Sequence, residues 1–341
     1  MCTALGLQGN AHLFGRTLDL EYSYDEEVII TPRKFCLEFL SEKTINSHLA
    51  IIGVGCVADG KPLYYDAANE AGLSAAGLNF PENAVYFERQ GGFCNLASFE
   101  VIPFVLSRCK SVGEAKELFK NVRITPDDFS KTLKSTPLHW IFADRTDCIT
   151  VESTASGLSV HENPFRVLTN NPPFCHHVTR MADYAHLSSR DPHNTLCPDI
   201  PISFYSRGMG GIGLPGDFSS FSRFVRAVFL SHHTTPAPDK AGEISRFFHI
   251  MDDVSVPCGA VKTNEGKDVL TVYTSCTDLD TGSYYYVTHK SRRIRALSLS
   301  SVPRDADTLY TVKMAEEEEI SYLTPAAKRD TIGKNEIIRN I

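Results

Sequence analysis

The second residue of the chain is a cysteine that could supply both a nucleophile and a base. Removal of Met1, which is favoured when the next residue is small, would leave Cys2 with a free α-amino group. An α-amino group titrates with a pKa of about 7.7–8.0 and a free thiol with one of about 8.5. One residue would then hold a soft nucleophile beside a base that works near neutral pH. This pattern predicts cleavage of an amide by an N-terminal nucleophile.

Two charged residues, Arg16 and Asp19, are predicted to lie beside Cys2. Gly9-Asn10 is a hairpin turn signal, and a chain that folds back there brings Arg16 close to the N-terminus. A guanidinium would favour the thiolate, and a carboxylate would hold the ammonium or amine in place. Considered without their neighbours, the two residues are more simply an ordinary surface ion pair.

Hydrophobic periodicity predicts blocks of strands and blocks of helices. The predicted strands cover residues 3–8, 12–16, 28–31, 48–54, 71–78, 138–143, 148–152, 166–169, 269–275, 283–288 and 308–314. Helices are predicted after the capping box at residues 111–114, along the apolar stripe of residues 221–229 and over residues 242–251. Because strands and helices do not alternate regularly, the order favours α+β layers and one domain over residues 1–341.

The composition is that of an ordinary globular protein and excludes some classes of function. Apolar residues make up 42% of the chain and charged residues 22%, and the formal net charge is −7. A nucleic-acid-binding protein would need a clustered basic face. No run approaches the roughly 20 apolar residues of a membrane span, and the N-terminus lacks the basic region of a signal peptide. We expect a cytoplasmic protein that acts on small molecules, with no nucleic-acid or membrane partner.

The cysteines, histidines and glycines predict neither a metal site nor a nucleotide cofactor. The ten cysteines form no C-x-x-C pair and lie at least 15 residues apart, which is typical of reduced thiols in a reducing compartment. The histidines form no H-x-x-x-H motif with an acidic partner. Residues 208–213 match G-x-G-x-x-G, but Leu214-Pro215-Gly216 follows where a helix would be needed. Residues 218–238 also lack the acidic residue of that motif.

Five short blocks contain the polar residues that could form one site. They are Met1-Cys2-Thr3, Gly15-Arg16-x-x-Asp19, Asn69-Glu70-x-Gly72-Leu73 with Ala76-Gly77-Leu78-Asn79-Phe80, Leu168-Thr169-Asn170-Asn171-Pro172, and Gly213-Leu214-Pro215-Gly216-Asp217 with Ser222-Arg223-Phe224. Their order and approximate spacing resemble the choloylglycine hydrolase family across nearly the whole chain. Five blocks in register are far more specific than any one of the motifs alone.

The resemblance implies a fold and a role for each polar residue. The fold would be the four-layer αββα sandwich of N-terminal-nucleophile hydrolases. The implied catalytic residues are the nucleophile Cys2, the assisting pair Arg16 and Asp19, the oxyanion pocket Asn79 and Asn170, and Arg223, which completes the polar site.

Two of these roles have simpler interpretations without the resemblance. Asn170 precedes Asn171-Pro172 and would be read as a turn residue. Arg223 lies on the side of its predicted helix away from the apolar stripe, where solvent is the default partner. Only the resemblance implies that Arg223 points into the site.

The resemblance also implies the reaction. It would be hydrolysis of the amide bond in glycine- or taurine-conjugated bile acids, without a cofactor, in a homotetramer. Substrate-lining positions of the family correspond here to Leu18, Ala58, Phe129 and Leu133, all apolar. Asn79 favours the bile salt branch over penicillin V acylases, which often have tyrosine there. Transfer of the acyl group to another amine and a non-catalytic ligand-binding role remain alternatives.

Overall fold

Two β-sheets form the middle of the molecule, and helices cover them. The computed structural model describes residues 1–325, so the last part of the predicted domain, residues 326–341, lies outside the described residues. The strands are β1 Cys2–Gln8, β2 His12–Leu20, β3 Glu27–Thr31, β4 Ile51–Ala58, β5 Lys61–Asn69, β6 Ser74–Asn79, β7 Cys94–Ala97, β8 Val122–Thr125, β9 Leu138–Ala143, β10 Cys148–Thr154, β11 Gly157–Glu162, β12 Val167–Leu168, β13 Val261–Lys262, β14 Asp268–Asp278, β15 Ser283–Thr288, β16 Ser291–Ser298 and β17 Tyr310–Lys313. The α-helices are α1 Val101–Arg108, α2 Val112–Phe119, α3 Phe174–Arg180, α4 Ser220–His233 and α5 Lys240–Asp252.

The strands form two large antiparallel sheets and one small parallel pair. The first sheet has the order β12-β1-β2-β14-β15-β16, with β13 paired to β14. The second has the order β11-β10-β9-β6-β5-β4-β3-β17. Strands β7 and β8 pair in parallel beside them. The predicted N-terminal hairpin is present, since β1 pairs with β2 from Cys2↔Leu18 to Gln8↔His12.

The layer order follows from which core each side chain enters. In β3, Val28 and Ile30 belong to the hydrophobic core shared with the first sheet, whereas Ile29 belongs to the core under α1 and α2. Successive strand residues point to opposite faces, so the second sheet is buried on both sides. Helices α4 and α5 pack on the first sheet. The result is the predicted four-layer αββα sandwich, which is confirmed.

Helix α4 differs from its sequence-based description in one respect. The apolar stripe is buried as predicted, but so is the face that was expected to meet solvent. Arg223 and Arg226 are 0% and 5% exposed because α4 lies between β1, β12 and α5. The assignment of Arg223 to solvent on helix pattern alone is therefore wrong.

Three further features can be excluded for the described part of the chain. The glycine-rich residues 208–213 form a short 3-10 turn, and the next helix begins only at Ser220, so they do not open a nucleotide-binding helix. Within residues 1–325, no helix is both long and apolar enough to cross a bilayer. No cluster of His, Cys, Asp or Glu in these residues could hold a metal ion.

Candidate active site

Cys2 lies at the start of β1, where the first sheet faces the second. It is 2% exposed and pairs with Leu18 across the hairpin. The backbone N–H of Cys2 donates to Asn170 Oδ1 at 2.8 Å, and the Met1 amino group donates to the Asp19 carbonyl at 2.6 Å. Asn170 Oδ1 therefore already lies at hydrogen-bond distance from the nitrogen that would become the α-amino group of Cys2 without Met1.

Arg223 is a buried cation that donates hydrogen bonds to the residues at the start of β1. One of its terminal nitrogens, Nη1, donates to the Cys2 carbonyl and to Thr3 Oγ1, the latter at 2.6 Å. The other, Nη2, donates to Asn170 Oδ1 at 2.8 Å. Burial lowers the pKa of Arg223, while the nearby charges of Asp19 and Cys2 act in the opposite direction. The guanidinium thus fixes the backbone at Cys2 and the amide of Asn170 relative to each other.

Asp19 is a buried carboxylate held by hydroxyl groups. Thr17 Oγ1 donates to Oδ2 at 3.1 Å, and Thr271 Oγ1 donates to Oδ1 at 2.7 Å. Arg223 Nη1 lies 4.0 Å from Oδ2. Because both oxygens are engaged and the residue is 0% exposed, the carboxylate has a fixed orientation. It is positioned to balance positive charge at the N-terminus.

The Asn170 amide lies between Cys2 and Asn79. Its Oδ1 accepts from Cys2 and from Arg223, which leaves Nδ2 to donate to the Asn79 carbonyl at 2.8 Å. This network assigns the amide orientation. An amide nitrogen carries two hydrogens, so one N–H of Asn170 is left for a further acceptor. An N–H placed beside a nucleophile is the kind of donor that stabilises an oxyanion.

Two buried histidines hold the turn that carries Asn170. One nitrogen of His139 lies 2.8 Å from the Thr169 carbonyl, and Nε2 of His177 lies 3.1 Å from the Asn170 carbonyl. Burial lowers the pKa of His177 to about 4, so its ring is neutral near pH 7 and donates from Nε2. His139 is anchored in turn by Glu152 at 3.0 Å. Successive carbonyls of one turn are thereby fixed.

Arg16 extends from the first sheet to the second. Its Nη1 donates to the Gly77 carbonyl at 2.7 Å, and its Nε donates to the Thr17 carbonyl at 3.0 Å. Its Nη2 is buried and has no hydrogen-bond partner among the described residues. Although burial alone would lower its pKa, negative charge at Cys2 and other nearby anionic groups raise the pKa of Arg16 above its usual value. The guanidinium therefore presents an unused donor beside the thiol.

Gly15 is what allows the neighbouring strand to come this close to Arg16. A Cβ at position 15 would lie 1.9 Å from the Ser275 carbonyl oxygen on β14. Any other residue would push β14 away from β2. The glycine in the Gly15-Arg16 block thus has a packing role.

A cavity of about 600 Å³ opens between the two sheets at Cys2. Of the six residues predicted to be catalytic, Cys2, Arg16 and Asn79 line it. The other three do not line it. Asn170 and Arg223 are hydrogen-bonded to Cys2, and Asp19 contacts Met1 and Arg223. The six predicted residues therefore converge on one place, with three facing the cavity and three supporting them.

Three of the four predicted substrate-lining residues border the same cavity. Leu18, Phe129 and Leu133 line it, and Phe129 packs edge-on against Phe99 with ring centroids 5.3 Å apart. Ala58 does not line it. It lies at the end of β4, next to the hairpin turn, and Cys56, two residues earlier on the strand, borders the cavity instead.

Sequence reasoning missed the threonines that hold the charged groups. Thr3 and Thr17 follow Cys2 and Arg16 directly, so the two N-terminal blocks contained them although no role was assigned. Thr271 reaches Asp19 from β14, at a point where the pairing of β14 with β2 shifts register. Such bulges redirect side chains at functional sites. No local pattern in the sequence indicates that contact.

Comparisons with known proteins agree with this geometry. Residues 2–311 match the family model described as linear amide C–N hydrolases, choloylglycine hydrolase family. A bile salt hydrolase/transferase of Lactiplantibacillus plantarum is 40% identical over 94% of this chain and 98% of its own. A conjugated bile acid hydrolase of Lactobacillus gasseri is 35% identical over 91% of this chain and 100% of its own.

Solved structures show the same fold. A conjugated bile acid hydrolase variant from Clostridium perfringens superposes with a TM-score of 0.88 at 34% identity, covering 95% of this chain and 100% of that one. A penicillin V acylase from Agrobacterium tumefaciens has a TM-score of 0.74 at 19% identity, covering 92% of each chain, and shares the fold. The chain belongs to the choloylglycine hydrolase family, and it is an amidohydrolase of that family.

The Asn170 amide generates a first prediction. Asn170→Ala should lower kcat for amide hydrolysis about 10²–10³-fold with little change in KM, because an oxyanion donor acts mainly in the transition state. Steady-state kinetics on purified variants would measure both constants. Asn95→Ala is the matched control, since its side chain donates to the carbonyls of Gln90 and Phe93 and does not line the cavity at Cys2. A change confined to KM would make Asn170 a substrate-binding residue instead.

Proposed function

We propose that the protein hydrolyses the amide bond of glycine- or taurine-conjugated bile acids with Cys2 as the nucleophile. The observation that carries the proposal is the position of Cys2, at the wall of an apolar cavity with its N–H held by Asn170. Support also comes from the relatives in Lactiplantibacillus plantarum and Lactobacillus gasseri, whose names describe bile salt and conjugated bile acid hydrolysis.

The reaction begins after Met1 is removed. The α-amino group of Cys2, held by Asn170 Oδ1, accepts the thiol proton, and the free N–H of Arg16 stabilises the thiolate. Sulfur attacks the amide carbonyl, and the oxyanion that forms accepts hydrogen bonds from Asn170 and Asn79. The α-ammonium then protonates the leaving amine, which breaks the C–N bond and gives a thioester. Water, deprotonated by the α-amino group, releases the bile acid and restores the thiol.

The cavity suits a large apolar acyl group. Leucines and aromatic rings dominate its wall, among them Leu18, Phe99 and Phe129. Burial of apolar surface contributes about 25 cal/mol per Å², so a steroid nucleus gains most of its binding energy there. The glycine or taurine would extend towards solvent and contribute less. We therefore expect the cavity to select substrates by their acyl group rather than by their amine.

Transfer of the bile acid to another amine is the second candidate function. The Lactiplantibacillus plantarum relative is named a bile salt hydrolase/transferase. Chemically, an amine would attack the same thioester in place of water, forming a new amide and returning the thiol. Hydrolysis and transfer differ only in the acceptor, so the same site would serve both.

We further propose a single-domain, cytoplasmic homotetramer. Cysteines in residues 1–325 form no disulfide, as expected in a reducing compartment. The irregular segment of residues 188–216 exposes large apolar side chains, with Leu196 90% and Tyr205 87% accessible. Exposed apolar patches typically mark contacts between proteins.

The assembly can be tested by light scattering, which should give the mass of four copies. The double variant Leu196→Asp, Tyr205→Asp should give a smaller mass. A monomer in the parent protein would contradict the assembly.

A second prediction tests the nucleophile. The active protein should begin at Cys2 by intact mass, and Cys2→Ala should abolish hydrolysis of glycocholate and taurocholate while leaving the thermal unfolding transition in place. Cys2→Ser should be nearly inactive, because a hydroxyl is far less ionised than a thiol beside the same weak base. Cys276→Ala is the control, as this thiol is also buried in the first sheet but away from the cavity. Full activity in a preparation that retains Met1 would refute the mechanism.

A third prediction concerns substrate choice. Phe129→Ala should lower kcat/KM for glycocholate and for taurocholate by a similar factor. It should lower kcat/KM for penicillin V less, because the phenoxyacetyl group buries less apolar area than a steroid. The ratio of kcat/KM values, measured side by side, reports the effect. Phe93→Ala removes a comparable ring outside the cavity and should change none of these ratios. A large difference between the two conjugates would place selectivity at the amino acid.

A further inference from the structure

A fully buried carboxylate lies behind Arg16, between the two sheets. Asp66, on β5 of the second sheet, is 1% exposed. It accepts hydrogen bonds from Tyr273 at 2.5 Å, from Tyr284 at 2.6 Å and from Ser275 at 3.0 Å, all on the first sheet. We call these four residues the carboxylate cluster. None of them lines the cavity at Cys2, and the mechanism above does not use them.

The hydrogen bonds of the carboxylate cluster fit an ionised Asp66. Burial raises the pKa of Asp66 above its usual value, and Arg16 and the three hydroxyl groups oppose that rise. The two tyrosine hydroxyls direct their hydrogens at the carboxylate, and Ser275 Oγ lies 3.0 Å from it and 3.5 Å from the Arg16 carbonyl. Ser275 Oγ also accepts from the Arg16 backbone N–H at 3.0 Å, so it is already engaged as an acceptor. An isolated buried charge is costly, so a compensating partner is required.

Arg16 is the cation whose charge acts on Asp66, and the strand that carries Asp66 also helps to position it. The Arg16 side chain donates to the carbonyls of Tyr65, at 3.3 Å, and Gly77. Tyr65 precedes Asp66, and Gly77 follows Ala76, the residue that pairs with Asp66 across β5 and β6. The backbone that carries the carboxylate thus also supplies the acceptors that direct the guanidinium towards Cys2.

We propose that Asp66 is a positioning residue that acts on Cys2 through Arg16, by orienting the guanidinium and by offsetting its charge. The proposal rests on the proposed function of Cys2 as the nucleophile. The titratable groups whose charge acts on Arg16 are Cys2 on β1, Tyr273 on β14, Asp66 on β5 and Asp19 on β2. Two buried guanidinium groups, Arg16 and Arg223, are then balanced by two buried carboxylates before Cys2 ionises. Without the negative charge of Asp66, the Cys2 thiolate supplies more of the negative charge that offsets the Arg16 guanidinium.

The test separates thiol ionisation from turnover. Cys2 is alkylated with iodoacetamide across a pH series, and peptide mass spectrometry distinguishes it from the other cysteines. In Asp66→Asn, the midpoint of Cys2 alkylation should move to lower pH by about half a unit or more, because less opposing charge favours the thiolate. The kcat for glycocholate should fall about fivefold or more with KM changed less than about threefold, because a thiolate that Arg16 holds more tightly is a weaker nucleophile.

A milder pair of variants keeps the test informative if Asp66→Asn does not fold. Tyr284→Phe removes one donor and leaves two, so it should shift the alkylation midpoint and kcat in a smaller, measurable way. Tyr286→Phe is the matched control, two residues along the same strand and also buried, with a hydroxyl outside the carboxylate cluster. It should leave both unchanged.

The outcomes distinguish this proposal from the proposed function. A folded Asp66→Asn protein with the parent kcat and alkylation midpoint would overturn the role of Asp66. The same conclusion would follow if Tyr284→Phe and Tyr286→Phe had the same alkylation midpoint and the same kcat. If instead the parent protein hydrolyses no conjugated bile acid, the proposed substrate is wrong, and the alkylation series still decides whether Asp66 acts on Cys2.

Discussion

Two arginine side chains are buried where the sheets meet, and most of the site is arranged around them. Arg16 and Arg223 are 1% and 0% exposed, and a guanidinium offers five N–H donors that must find acceptors once water is excluded. Carbonyls of Cys2, Gly77 and Phe218 provide several of these acceptors. A backbone that must accept from a fixed cation loses freedom. The position of the proposed nucleophile is therefore set by hydrogen bonds to the main chain.

The two facing sheets allow these arginines to be buried, because both supply hydrogen-bond acceptors. Strand β2 belongs to the first sheet, and its Arg16 side chain finds carbonyl acceptors on β5 and β6 of the second. Helix α4 covers the opposite face of the first sheet and brings Arg223 to Cys2 and Thr3. Each cation bridges two layers, so the polar site also fixes how the layers lie against each other. Loss of one bridge would leave a buried charge unpaired, which is strongly destabilising.

Much of the site was predictable because it is local or belongs to a recognisable block. The hairpin that joins Cys2 to Arg16 follows from one turn signal. Elements with weak patterns were missed for physical reasons. Helix α1 contains Pro103, which is tolerated because it falls in the first turn, where its missing N–H has no helical acceptor. Strand β16 is rich in arginine, as suits an exposed edge, and so lacks the alternation that marks a half-buried strand.

Local sequence patterns could not predict the contacts between distant segments. Thr271 meets Asp19 only because β14 pairs with β2 and bulges at that point. The same pairing brings Ser275 to the Arg16 backbone, and through it the carboxylate of Asp66. Residues 252 and 259 positions away in sequence therefore decide how Asp19 and Arg16 of β2 are held. The N-terminal hairpin supplies the reactive groups, but their geometry depends on a strand from the other end of the described chain, so the site can form only when the whole first sheet does.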